Sequence, residues 1–343
     1  MNPDWQNFLA TQGAQLQDGI VSDFGDAAAE RIATRDGTVL CDMAQFGLLK
    51  VSGEDAQTFL QNLLSNDIRE VNDRRAQLTS FNNAKGRMLA SLWVWKTADD
   101  YLLQLPRGLA ETIRKKLSMY VLRAKVKISD ESDAYVCIGL SGAHAEAALQ
   151  KIYPNLPQQT LDVVQHDSDT LVRRDAQRYQ IISSAQRAVV IWQSLRQSAT
   201  PVGSPCWDWL DIRAGIPFVL PATVESFVPQ MLNFEVIGGV NFKKGCYPGQ
   251  EIVARMHYLG TPKKRMYLAH VAGDASPKAG DELFSEGLDG QSCGTVVHAA
   301  AAPGGGFDLL AVMQTSSHET SQVHHGSPSG ACLEFQALSY ALP

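Results

Sequence analysis

Apolar positions along this chain switch between two periods, and the switches mark out its elements. Residues 47–51 read as a strand. Ser52 then stands as an N-cap, with Asp55 placed as in a capping box, for a helix in which Ala56, Phe59, Leu60 and Leu63 recur at helical spacing. Residues 76–81 and 88–96 predict strands joined through Asn82-Asn83-Ala84-Lys85-Gly86-Arg87, a turn carrying two cations. Residues 97–100 turn the chain into the strand YLLQL. Leu109, Ile113, Leu117 and Val121 give the next helix an apolar face and leave Arg114, Lys115 and Lys116 on a solvated one, ahead of a strand at 125–129.

A second stretch repeats this alternation: a strand at 134–140, a helix at 143–153, strands at 161–165, 171–174 and 179–183, and a helix at 185–197. Two similar α+β units, ferredoxin-like and packed together, are therefore expected. Beyond residue 260 the short runs RMYLAHV, DELF, GTVVHA, DLLAVM and CLEFQAL alternate with Gly, Pro and Asp turns, the pattern of a small antiparallel barrel or sandwich. The division expected is a polar lead-in over 1–36 holding one short helix, a first α+β unit over 37–130 and 200–260, a second over 131–199, and a C-terminal β-barrel over 261–343, with a boundary near Thr261-Pro262.

Composition narrows the class. A chain of 343 residues is long for one core, and 45% hydrophobic with 19% charged residues is ordinary for a globular protein. The net charge of -6 argues against a chain that coats nucleic acid, so no strong direct nucleic-acid binding is expected. Six cysteines, at 41, 137, 206, 246, 293 and 332, form no CxxC pair, which suits a reducing cytosol. The start lacks a basic and apolar leader and no apolar run approaches spanning length, so a cytoplasmic chain without membrane contact is expected. His318, His324 and His325 lie among serines with no acidic cluster, and an exposed loop rather than a metal site is expected there.

The unusual chemistry gathers in residues 238–260, GGVNFKKGCYPGQEIVARMHYLG. Lys243 and Lys244 stand just before Cys246, with Arg255 and His257 after it, a field that favours the thiolate and makes this the candidate reactive cysteine. Gly238, Gly239, Gly245 and Pro248-Gly249 allow tight turns. From Gln250 a helix is expected, with Glu251 in its first turn, Arg255 as its ion-pair partner and Gly260 as its stop. Ile252, Ala254, Met256 and Tyr258 also fit one face of a strand. Upstream, Trp207 and Trp209 would share a face if their segment were a strand, forming a flat wall for a planar heterocycle; the alternative is that both are core.

The run FKKGCYPGQEIVAR closely resembles the KGCYxGQE signature of the YgfZ-like folate-binding proteins, relatives of the glycine-cleavage T protein, an aminomethyltransferase. The resemblance spans most of the chain from about residue 48. It implies the two α+β units and the barrel around a central channel, tetrahydrofolate or a derivative as cofactor, and a monomer that supports iron-sulfur cluster assembly or repair and thereby tRNA thiolation. Iron-sulfur cluster proteins or assembly factors are its implied partners. In this light Cys246 is the working thiol with Lys243 and Lys244 as its activators, and WDWLDIRAGIP places Trp207 in the folate pocket, with Phe46 as a second aromatic. Trp209, Asp211, Arg213, Tyr247, Gln250, Glu251 and Arg255 join them as cofactor-binding candidates.

Two departures bear on activity. The T protein's activating aspartate has no counterpart in MLASLWVW, and the glutamate that holds the pterin there is Arg213 here, leaving Asp211 or Glu225 as substitutes. A true aminomethyltransferase and a non-catalytic folate-binding module are the rival readings.

Overall fold

The computed structural model describes residues 1–343 except Asp99, Thr261 and Asp289. The chain divides into two compact units. The first comprises Met1–Phe59, Arg69–Gln77 and Trp93–Trp207, and the second Leu60–Ile68, Leu78–Leu92 and Asp208–Pro343. The boundary anticipated at Thr261-Pro262 falls on a residue outside the described set.

The N-terminal segment is a folded part of the first unit, which corrects its reading as a lead-in with a single helix. Helix Pro3–Thr11, the hairpin Gln15–Gln17 with Ile20–Asp23, and helix Ala27–Asp36 follow one another. Asn2 and Asp26 cap the two helices through side-chain oxygens that accept backbone N–H groups. The polar composition hides two anchors one helical turn apart: Trp5 and Leu9 are fully buried, and Trp5 meets Trp192 edge-on at 5.5 Å.

A six-stranded sheet forms the body of this unit, in the order Val163–His166, Asp169–Arg173, Arg178–Ser183, Val136–Ser141, Val39–Asp42, Thr200–Val202. Its neighbours are antiparallel except the last pair, which is parallel. Alternate residues Leu40, Ile138, Leu140, Leu171 and Ile181 meet Leu149, Ile191 and Trp192 in one core, so helices cover one face. A five-stranded sheet has the order Gln77–Asn82, Met88–Thr97, Asp100–Pro106, Phe46–Ser52, Lys127–Asp130. The division between units passes through Met88–Thr97, at Leu92. Helix Ala110–Ser118 buries Ile113 and Leu117 as its spacing predicts. The expected capping box does not form: Ser52 Oγ turns to the Lys127 carbonyl (3.5 Å) and the Asp55 carboxylate accepts the Lys125 N–H (2.8 Å), so helix Ala56–Gln61 begins later.

In the second unit an antiparallel sheet runs in the order Val323–His325, Glu282–Ser285, Ser292–Ala301, Phe307–Gln314, Lys264–Val271, Leu333–Gln336. A bridge between His324 and Cys332 brings the first strand beside the last, so the sheet curls into a half-barrel. Tyr267, Ala269 and Val271 on one strand and Leu309, Ala311 and Met313 on its partner point to the same core. The polar stretch 315–330 is not a bare loop. It contains helix Thr315–Thr320 and strand Val323–His325, tied down by His318 stacked on Tyr267 (3.9 Å) and by His325 Nε2 against Asp281 Oδ2 (2.8 Å).

Candidate functional site

The segment 238–260 is held by short links on both sides of its thiol. Before it, Asn66 Nδ2 donates to Gly238 O (2.7 Å), Ser65 Oγ to Gly239 O (2.8 Å), and the Asn241 N–H to Ser65 O (3.0 Å). Asn241 Oδ1 then accepts the Lys243 N–H (2.8 Å). After it, Gly249 sits at φ +77°, where an added Cβ would lie 2.4 Å from Asn83 O and 2.5 Å from the Gly86 backbone. The Asn82–Arg87 turn is itself closed by Asn83 Oδ1, which accepts the N–H groups of Lys85 and Arg87. Only glycine permits this contact of two turns. Helix Gln250–Leu259 starts directly from it, the helical alternative of the two sequence readings.

Between these anchors Cys246 is exposed. Lys243 is exposed too, whereas the Lys244 ammonium donates to Gln61 O (2.6 Å) and Leu64 O and lies 5.0 Å from the centre of the Tyr247 ring. That ammonium closes the end of helix Ala56–Gln61, which gives it a structural task that spacing alone does not reveal. Burial pushes the Tyr247 hydroxyl up to about 12, so it stays a neutral phenol. Gln250 Oε1 accepts the Tyr247 N–H (3.3 Å). Glu251 and Arg255 are both exposed and, among the described residues, no ion pair joins them, contrary to the helical-spacing expectation. Phe242 stacks on His257 at 3.7 Å instead, folding the lead-in of the loop onto the far end of the helix.

The tryptophan segment is a helix, Ser204–Arg213, and this corrects the shared-face expectation for Trp207 and Trp209. Residues two apart on a helix diverge; those four apart align. Within the second unit Trp209 and Arg213 both reach Asp308, at 2.8 Å from Nε1 and 3.5 Å from Nη1, and His270 Nδ1 closes the group at 2.8 Å. Arg213 also donates to Gln336 Oε1. Arg213 is thus drawn to a barrel carboxylate. Of the two substitute carboxylates, Asp211 is fully buried and Glu225 is exposed at φ +63°. Burial pulls the nearby His298 imidazole down, but the hydrogen bond and charge of Asp208 and the charge of Asp211 outweigh it and raise it overall. In the first unit Trp207 is fully buried with its ring against Gly139, where a Cβ would lie 2.3 Å from Cζ3. Phe46 is buried as well.

The first unit also holds a buried polar cluster that sequence reasoning missed. The Arg174 guanidinium lies 3.5 Å from the centre of the Trp93 ring, a cation–π contact, and Nη1 donates to Gln104 Oε1 (3.1 Å) and Gln180 Oε1 (3.0 Å). Arg174 is 3% exposed and both glutamines are fully buried. Among the described residues, Gln104 Nε2, Gln180 Nε2, Trp93 Nε1 and Trp207 Nε1 have no hydrogen-bond partner. Such sealed donors cost about 1–3 kcal/mol each unless something accepts from them, so the arrangement suits an acceptor-rich guest. The signal was present as a lone glutamine inside each of the apolar runs YLLQL and YQIIS.

The GCVT N-terminal domain family matches residues 20–203. The chain is 30% identical to the tRNA-modifying protein YgfZ of Escherichia coli O7:K1 over 308 residues, 88% of this chain and 93% of that protein. Its likeness to the same-named protein of Shigella sonnei is also 30%, with the same coverage. Among solved structures, the glycine cleavage system aminomethyltransferase T of Bartonella henselae superposes with a TM-score of 0.80 over 98% of this chain and 97% of that one, at 17% identity. At that identity the match speaks for the fold alone.

Proposed function

Because the chain belongs to the YgfZ family and carries the GCVT N-terminal domain, we propose that it serves tRNA modification as a tetrahydrofolate-binding protein. Its task in this reading is to support assembly or repair of the iron-sulfur clusters that tRNA-thiolating enzymes use, in the cytoplasm and as a monomer, with Cys246 as the working thiol. The observation that carries the reading is the contrast among the cysteines. Cys246 is exposed on a loop pinned at both ends, while Cys41, Cys206 and Cys293 are buried and burial pushes the Cys137 thiol up to about 12. Lys243 is left as the cation beside it in sequence, Lys244 being engaged by carbonyls.

Folate fits the first unit on the ground of its sealed donors. Gln104, Gln180 and Trp93 offer N–H groups that lack acceptors, and the pterin and the amide and carboxylates of folate are rich in acceptors. Arg174 would add a charge for the acidic tail, and Trp207 and Phe46 would wall the site as buried core rather than as exposed platforms. Bound there, tetrahydrofolate would supply a reduced pterin able to carry a one-carbon unit. Trp209 and Arg213 tie the tryptophan helix to Asp308 in this reading, and Tyr247, Gln250, Glu251 and Arg255 shape the thiol segment.

Calorimetric titration with tetrahydrofolate tests the binding half. The wild-type chain should bind and a Gln180→Leu variant should bind at least tenfold more weakly; equal affinities would remove the cluster from the folate site. An aminomethyl-transfer assay with a lipoylated carrier should show no turnover, because Met88–Thr97 holds no carboxylate. Measurable turnover would favour the aminomethyltransferase reading instead.

A further inference from the structure

The turn between helix Ala110–Ser118 and strand Lys127–Asp130 holds apolar side chains out in solvent. Met119 is 67% exposed, Tyr120 45% and Leu122 89%, the last being the most exposed large hydrophobic side chain among the described residues. A single exposed leucine is ordinary, but three such residues within four positions form a patch. The backbone singles out Leu122 further: its φ is +43°, a left-handed conformation that glycine or asparagine adopts at less cost. The turn is not slack. The Val121 N–H donates to Ser118 O (3.2 Å), the Ala124 N–H to Val121 O (2.7 Å) and the Val126 N–H to Ala124 O (2.9 Å). Its foot is clamped as well, since the Lys125 N–H donates to Asp55 Oδ2 (2.8 Å) and a Cβ on Gly53 would lie 2.0 Å from Lys125 O. A leucine is thus held in a strained conformation that brings it no burial, and folding alone gives no reason for it.

Charge surrounds this tip. Arg114, Lys115, Lys116, Arg123, Lys125 and Lys127 fall in residues 114–127 with no Asp or Glu among them, although acids outnumber bases 36 to 30 in the whole chain. Glu111 pairs with Arg114 (2.8 Å) and Lys115 (3.1 Å), and Glu54 with Lys125 (2.6 Å). Lys116, Arg123 and Lys127 enter no ion pair among the described residues, and Arg123 and Lys127 are exposed. An apolar tip flanked by uncompensated cations complements a surface that is anionic outside and apolar beneath. A leaflet of anionic phospholipid has that order. Leu122 and Met119 would reach the acyl boundary, Tyr120 suits the interface, and the three cations would meet headgroup phosphates. Nucleic acid would match the cations but leave Leu122 and Met119 in water. A protein partner would need an acid-rimmed socket shaped to the tip, whereas lipid adapts to it.

We propose that this turn docks the protein reversibly on an anionic lipid surface, with Leu122 and Met119 as the inserted anchors and Lys116, Arg123 and Lys127 as the headgroup contacts. No helix among the described residues is long and apolar enough to cross a membrane, so the contact is peripheral. It departs from the expectation of no membrane contact, which rested on the absence of a spanning run. It is independent of the folate and thiol readings, since its residues all lie in the first unit and none belongs to the Arg174 cluster or to 238–260.

Flotation of the full-length protein with vesicles of equal parts phosphatidylglycerol and phosphatidylcholine reads the docking. The protein should float with these and not with phosphatidylcholine alone, and a spin label in the bilayer core should broaden the Met119 methyl resonance. Leu122→Asn should weaken vesicle binding about fivefold or more. Its thermal stability should be unchanged or higher, because asparagine tolerates the left-handed backbone. Replacing Lys116, Arg123 and Lys127 together by Gln should weaken binding about tenfold or more. Absence of flotation with the phosphatidylglycerol vesicles, equal flotation with both compositions, binding that survives Leu122→Asn, or a Met119 methyl that stays sharp in the bound protein would each overturn the proposal. So would a total tRNA pool or polyglutamate that displaces the vesicles and binds Leu122→Asn as well as wild type, which would mark a site for polyanions in general.

Discussion

The cluster around Arg174 and the loop around Cys246 are built by opposite means. Gln104, Gln180 and Trp93 come from strands and Arg174 directly follows one; all four are buried and hold one another through charge, amide and ring. The thiol loop is held at its ends by the Ser65 and Asn66 side chains and by the packing of two glycine turns, and within by Lys244 on the Gln61 and Leu64 carbonyls, while Cys246 stands exposed. One region is a sealed set of buried polar groups, some of them without partners among the described residues; the other presents a single exposed side chain. A change in the first should therefore register as stability, and a change at the tip of the second as function.

The largest effect that separates them is Trp207→Ala. Emptying a fully buried indole should lower stability by about 3–5 kcal/mol in chemical denaturation. Cys246→Ala should change it by less than about 0.5 kcal/mol. Comparable losses would erase the distinction between core wall and exposed tip.

A second contrast is pH dependence. Burial lifts the Asp42 carboxyl from 3.8 to about 6, even though the Trp5 indole donates to it. Below 3.8 that burial costs nothing, and the cost is complete once the pH has risen through about 6; it amounts to roughly 3 kcal/mol. The stability difference between wild type and Asp42→Asn should therefore shrink as pH falls from 7 to 4. A difference that is constant over that window would show an ionised Asp42 throughout.

Gly249→Ala tests the loop from its anchor. The left-handed backbone and the 2.4 Å approach to Asn83 O should together cost about 2 kcal/mol. Cys246 should then be alkylated at a different rate while the other thiols are unaffected. An unchanged rate would mean the glycine turn does not set the thiol's presentation.

The smallest effect is also the most discriminating about the thiol itself. Cys332 is the other exposed cysteine. Cys246 should alkylate faster than Cys332 at neutral pH, and Lys243→Gln should slow it severalfold without altering stability. Should the two exposed thiols react alike, exposure alone would explain the labelling and the cation would have no part in it.

Much of this architecture was readable from periodicity. The strands YLLQL and RMYLAHV, the helix with Ile113 and Leu117 inward, and the curled C-terminal sheet all follow from spacing. What escaped did so for local reasons. Trp5 and Leu9 are only two apolar anchors in a polar helix, too few to outweigh its composition. Trp207 and Trp209 lie two apart, which says face-sharing only if the segment is a strand, and Ser204–Arg213 is a helix. Within the site, the KGCYPGQE run was recognisable as a motif, but the commitment of Lys244 to the carbonyls of Gln61 and Leu64, about 180 residues away, depends on tertiary structure. The Arg174 cluster is assembled from three separate strands and the residue that follows a fourth, and no local window contains it.

The proposed dependence of tRNA modification on the Cys246 thiol is tested most directly by mass spectrometry of the thiolated tRNA nucleosides in cells lacking this protein and carrying either the wild-type or a Cys246→Ala copy. The wild-type copy should restore the modified nucleosides, and the folded, equally abundant Cys246→Ala protein should leave them at the level of the deletion. Full restoration by Cys246→Ala would contradict a working thiol and leave the loop with a structural part only.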